Sequence, residues 1–175
     1  MDLYIPLKYF LDIKYIEILK TLSNENNLYI YSPIIIEKNY KKLIKNKLDE
    51  VLNNLTIKGI VISNISGLYI FEDYIKNYNL DLIANYSLNV FNNYTVNELK
   101  NLSFSRATIS PELNKDIISD IVQNSSIKTE LIVYGKSLLM TSSNCFLGNS
   151  NYCYSDCARY CNSGKSYYLK DRLRI

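Results

Sequence analysis

Four cysteines, Cys145, Cys153, Cys157 and Cys161, are gathered in one stretch of a chain that contains no histidine. Seven, three and three residues separate them, which is not the C-x2-C pairing of zinc ribbons and fingers. Thiolates without imidazole suit an iron–sulfur cluster or a zinc ion held by four sulfurs, and ligand softness does not separate the two. Disulfides and free structural thiols are the other readings, although in a reducing compartment clustered cysteines more often bind metal or do redox work. A straight helix over 153–161 would set its end thiols about 12 Å apart along the axis, too far for one compact site. The segment must therefore bend, and Gly148, Asn149, Ser155, Asp156, Asn162 and Gly164 are residues that favour turns.

The missing histidine also limits catalysis. No Ser-His-Asp triad, Cys-His dyad or H-E-x-x-H zinc site can be built, so proteolysis would need a Ser-Lys pair, a carboxylate dyad or groups from elsewhere. The net charge is only +3, so no global basic field argues for nucleic acid. From Cys145 onward Arg159, Lys165, Lys170, Arg172 and Arg174 outweigh Asp156 and Asp171, and this segment carries the whole excess. It reads either as a solvated tail or as the contact for an anionic partner. Arg159 and Lys165 would lower the cost of the nearby thiolates.

Short runs rich in Ile, Val and Tyr, each with the look of a buried strand, must position any site. They lie at 3–6, 28–36, 59–63, 81–85, 106–110 and 130–135. Helical patterns fill the gaps. Over 38–55, Tyr40, Leu43, Ile44, Leu48, Val51, Leu52 and Leu55 form one stripe, and Ser110, Pro111 and Glu112 read as a helix start. The alternation predicts parallel βα units in an α/β fold. Six units do not close an eight-stranded barrel, so the sheet is either open and doubly wound or part of a (β/α)8 barrel. The expected organisation is a partial barrel over 1–140 and a Cys-rich segment over 141–175, in one domain. In such folds the carboxyl ends of the strands form the working face. Asn64, Asn89, Asn92, Glu112 and Tyr134 follow strand ends and are the candidate substrate-binding residues, with Asn85 and Asn114 beside them. Each alone is most simply a turn residue or helix cap; the repetition of their position is the stronger signal. Glu130 starts the last run and is expected at the opposite end. No leader and no apolar run of about 18 residues is visible, so a cytoplasmic protein without membrane contact is expected.

The blocks "YIPL" (4–7), "GIVISN" (59–64), "NYSLNVFN" (85–92), "ISPELN" (109–114), "ELIVYGKSLLM" (130–140), the cysteine cluster and "YYLKDR" (167–172) occur in an order that resembles the collagenase-like peptidases, family thirty-two of unassigned catalytic type. The resemblance implies a TIM-barrel-like fold of which this chain is the later part, with both ends cut, so the front of the barrel would be a partner. It also implies that Cys145, Cys153, Cys157 and Cys161 ligate a 4Fe-4S cluster, with zinc as the alternative. Two function classes follow. One is an iron–sulfur enzyme of the oxygen-independent hydroxylating type, acting on RNA or a small aromatic substrate. The other is a peptidase acting on collagen-like or other peptides. An inactive fragment is the third reading.

Overall fold

The computed structural model describes residues 1–36, 38–136, 138, 140 and 141; the four cysteines lie outside them. Six strands alternate with helices: β1 (Asp2–Pro6), α1 (Leu7–Phe10), a 3-10 turn (Ile13–Tyr15), α2 (Ile16–Glu25), β2 (Asn27–Tyr31), α3 (Lys38–Asn54), β3 (Ile57–Ile62), α4 (Ser66–Tyr78), β4 (Asp81–Ala84), a 3-10 turn (Tyr86–Leu88), α5 (Asn93–Asn101), β5 (Arg106–Thr108), α6 (Lys115–Asn124) and β6 (Lys128–Glu130). All these elements belong to one unit, Met1–Ser137. Every neighbouring pair of strands is parallel. The sheet order is β1-β2-β3-β4-β5-β6. A doubly wound sheet reverses its order at a switch point. Here the order never reverses, so the six strands form a half-barrel with the helices on its outer side.

Strand alternation divides the side chains between the two faces. Leu28, Ile30, Ile60, Ile62, Leu82, Ala84, Ala107 and Ile109 join the helices in the main apolar core. The stripe expected on α3 is there too, with Ile44, Leu48, Val51, Leu52 and Leu55 buried in the same core. On the inner face Tyr29, Val61 and Ile83 form a small separate cluster, with Tyr4 and Tyr31 packed against it. No described helix is long and apolar enough to cross a membrane.

Two expected element boundaries are corrected. The last strand is Lys128–Glu130, not the run at 130–135. Its partner β5 is only three residues long and pairs Arg106, Ala107 and Thr108 with Lys128, Thr129 and Glu130, so the ladder between them ends at Glu130. Glu130 therefore ends its strand instead of starting it, and stands at the carboxyl end. The helix expected to start at Ser110–Pro111 starts at Lys115. Its cap is Asn114, whose Oδ1 accepts from the Ile117 N–H at 3.0 Å. Ser110 instead closes a tight turn: its backbone N–H is spent on the Val90 carbonyl, and its hydroxyl accepts from the Glu112 N–H at 3.4 Å.

Gly59 sits where β3 and β4 approach closely, and an added Cβ would run into the backbone carbonyl of Asp81. Backbone cannot yield as a side-chain tip can. Gly59→Ala should cost about 1–3 kcal/mol, read as a fall in the urea midpoint at unchanged slope; an unaltered midpoint would contradict the close approach.

Candidate functional site

A barrel interior is ordinarily filled by branched apolar side chains; here Val61 and Ile83 fill the middle of the inner face, and polar side chains occupy the strands at its two edges. Period-two alternation turns Asp2 and Tyr4 of β1, Tyr29 and Tyr31 of β2, Arg106 and Thr108 of β5 and Glu130 of β6 inward. Strand stagger in a barrel brings the carboxyl end of a late strand level with the amino end of the first. Residues from opposite edges of the sheet thus meet across the interior. Arg106 Nη1 reaches Asp2 Oδ2 at 2.9 Å and Glu130 Oε1 at 2.8 Å, and donates to the Tyr4 hydroxyl at 3.1 Å. The Tyr4 O–H donates to Glu130 Oε1. Thr108 Oγ1 donates to Glu130 Oε2 at 3.1 Å. Tyr29 underlies the group: its ring lies 5.6 Å from the guanidinium carbon of Arg106 and meets Tyr4 edge-on at 5.3 Å between centroids.

The titration of these groups follows from that packing. Burial, then the Glu130 carboxylate, pushes the Tyr4 phenol well above its usual range, so it acts as a hydrogen-bond donor and not as a base. Burial disfavours the Arg106 charge, but its bonds to Glu130 and Asp2 outweigh that and hold it protonated. Asp2 is held below the usual carboxylate range by the Asn27 side-chain amide and then by Arg106. A carboxyl whose folded pKa is depressed contributes stability that is present above its unfolded pKa and lost as pH falls through the folded one. Asn27→Ala should therefore move the acid-unfolding midpoint to higher pH; a midpoint that stays or falls would contradict the assignment.

A second polar group sits at the carboxyl ends of β2, β3 and β4. Asn85 is 3% exposed; its Nδ2 lies 2.7 Å from Tyr31 Oη, 3.1 Å from Ser63 Oγ and 3.0 Å from Ser87 Oγ, three acceptors shared by two N–H groups, while its Oδ1 accepts from the Tyr86 N–H. Ser63 is tied to Ser32 twice, through its N–H and its hydroxyl. The buried polar side chains among the described residues, Ser32, Ser63, Asn85, Thr108 and Ser110, all stand at or just beyond a strand's carboxyl end. Between the two groups lies a cleft of about 520 Å³ lined by Asp2, Tyr4, Tyr31, Asn85, Tyr86, Thr108, Glu130, Leu131 and Ile132. Asn85→Ala leaves several hydroxyls to re-pair in a buried site and should cost about 1–3 kcal/mol, measured by thermal unfolding; a neutral substitution would show that the network is replaceable.

Asn64, Asn89, Asn92, Glu112 and Tyr134 all follow a strand's carboxyl end, yet none of them lines this cleft. Asn64 shapes the entry to α4, its Oδ1 accepting from the Ser66 N–H and its amide donating to the Ile34 carbonyl. Asn89 is a left-handed residue, φ 55°, closing the second 3-10 turn. Asn92 caps α5 through the Thr95 N–H at 2.9 Å. Glu112 is exposed, and Tyr134 is 97% exposed. The members missed in the sequence were Tyr4, Tyr31, Arg106 and Glu130. For the first three the signal was a polar side chain at every second position of runs otherwise apolar, "DLYIP", "NLYIY" and "RAT"; "KTE" is polar throughout and carries no such signal.

Among the described residues no three of His, Cys, Asp and Glu come together as a metal site. The cysteines lie beyond them, and the donor set alone, four thiols in a chain without histidine, has the chemistry of an iron–sulfur or all-sulfur zinc ligand set.

The model of "Peptidase family U32" matches residues 13–169. No curated protein matches. Among solved structures, the U32 peptidase Mk0906 is similar in fold, with a TM-score of 0.55 at 14% identity over 73% of this chain. The match spans 58% of the length of that solved chain.

Proposed function

Because the chain belongs to peptidase family U32, we propose that it is the part of a family enzyme that carries one wall of the substrate cleft and, after β6, the four thiolates of an iron–sulfur centre. The observation that carries this reading is the polar interior: Asn85, Thr108 and Glu130 converge on one cleft from strand ends, in a layer where packing alone would choose apolar residues. Four thiolates without imidazole support the cluster, with zinc as the alternative occupant. When bound, such a cluster supplies one-electron transfer or Lewis acidity.

The chain's own residues bind and orient. Arg106 fixes the carboxylate of Glu130, Thr108 fixes its second oxygen, and the Asn85 amide holds Tyr31 in place. Three tyrosines, Tyr4, Tyr31 and Tyr86, with Leu131 and Ile132 offer walls for a compact aromatic substrate. A phosphate chain is served less well there, because Asp2 and Glu130 outnumber Arg106; the basic residues beyond Cys145 are the better candidates for an anionic contact. The peptidase reading has less support from these residues. A general base must be free to meet the proton it takes, and both acids of the cleft are already bonded to Arg106.

Anaerobic purification followed by dithionite reduction tests the proposal. A brown protein whose visible absorption bleaches on reduction and returns on reoxidation supports the cluster. A colourless protein with stoichiometric zinc would turn the cysteines into a structural site.

A further inference from the structure

We infer that the cleft takes a planar cation, an amidinium or guanidinium group, beside Glu130; this rests on the reading of the cleft as the substrate face. Charge balance is the first ground. Asp2 and Glu130 line the cleft with two carboxylates, and the one guanidinium bonded to both, that of Arg106, stands behind the lining. Asp2, Glu130 and Arg106 are each one third exposed or less at the side chain, so screening by water is incomplete and the remaining negative charge is costly unless paired. Lys128 and the Met1 amino group, the other cations of this edge, lie at the exposed margin together with Asp2, and the field of the amino group reaches Asp2; the half-buried acid facing the cleft is Glu130.

Hydrogen-bonding capacity is the second ground. Glu130 Oε1 accepts from both Tyr4 and Arg106, whereas Oε2 accepts from Thr108 alone among the described residues. A carboxylate oxygen has room for a second donor. A planar N–H group meeting Oε2 from the cleft would complete the carboxylate and remove the charge excess in one contact. The walls fit such a group: Tyr31 and Tyr86 line the same cleft, and a delocalised cation is stabilised over an aromatic face. An anion would meet two carboxylates with the one guanidinium already committed to both.

Benzamidine, benzamide and benzoate have nearly the same shape and differ in charge, so they separate fit from electrostatics. Their binding to the full chain, titrated by NMR, should rank benzamidine first, at about tenfold tighter than benzamide, with benzoate weakest and the shifts centred on Asn85, Thr108 and Glu130. Glu130→Gln should abolish the preference. The ranking on the unaltered protein stands whether or not that variant folds. Equal affinities, benzoate binding best, shifts elsewhere or no binding at all would overturn the inference. Iron content is a separate readout: a zinc protein that still selects benzamidine loses the iron–sulfur proposal and keeps this one.

Discussion

Replacing Arg106 by Ala should lower the unfolding free energy by about 2–4 kcal/mol, below the full cost of breaking a fully buried pair because these side chains are partly wet. The size comes from what is left behind. Without the guanidinium, Asp2 and Glu130 face each other across the half-barrel with no cation between them, and Tyr4 keeps only the bond to Glu130. Tyr29 also loses the cation over its ring. Arg106 links β5 to both β1 and β6, so its loss should loosen the curvature of the whole sheet and not one strand. The double variant Arg106→Ala with Glu130→Gln removes one of the stranded charges and should recover part of the loss, a coupling that a pair of independent surface residues would not show. Urea denaturation of the four proteins measures it. A single-variant loss under about 0.5 kcal/mol, the size of an exposed ion pair, would mean that the contacts across the interior do not hold the sheet.

Cys157→Ser should remove the visible absorption of the anaerobically purified protein and lower its iron content to a small fraction of the parent's. Oxygen is a poor replacement for one thiolate in four, and metal affinity at such sites is a large share of the free energy ordering the ligands. The other three cysteines would then be left as thiols, and alkylation under native conditions should label them where the parent is protected. Full colour and protection in the variant would take Cys157 out of the ligand set.

The fold was legible in outline because burial and period are written locally. Strands that bury one face against the helices read as short runs rich in apolar residues, and the stripe from Tyr40 to Leu55 repeats at helical spacing. What periodicity does not encode is which strands lie side by side, so an open sheet and a half-barrel were equal until the strand order was seen. The start of α6 was misplaced for a related reason. Ser110-Pro111-Glu112 has the chemistry of a helix start, but Ser110 is still bonded to the loop at Val90, and the first residue free to cap is Asn114. The asparagines after the strands do have a local use: Asn64 and Asn92 spend their side chains on the helices they begin. The inner group stayed hidden because Tyr4, Arg106 and Glu130 are far apart in sequence and meet only through the stagger of the strands. Glu130 was further disguised by the apolar run that follows it, which looks like strand but lies beyond the end of the β5 ladder.

The central claim, that a family U32 half-barrel is joined here to a thiolate-bound iron–sulfur centre, is tested most directly by counting metal and sulfide in the anaerobically purified full chain. Iron and acid-labile sulfide should each approach about four per chain, with zinc well below one, as a 4Fe-4S cluster on four cysteines requires. One zinc per chain with no labile sulfide, or no metal at all, would contradict it.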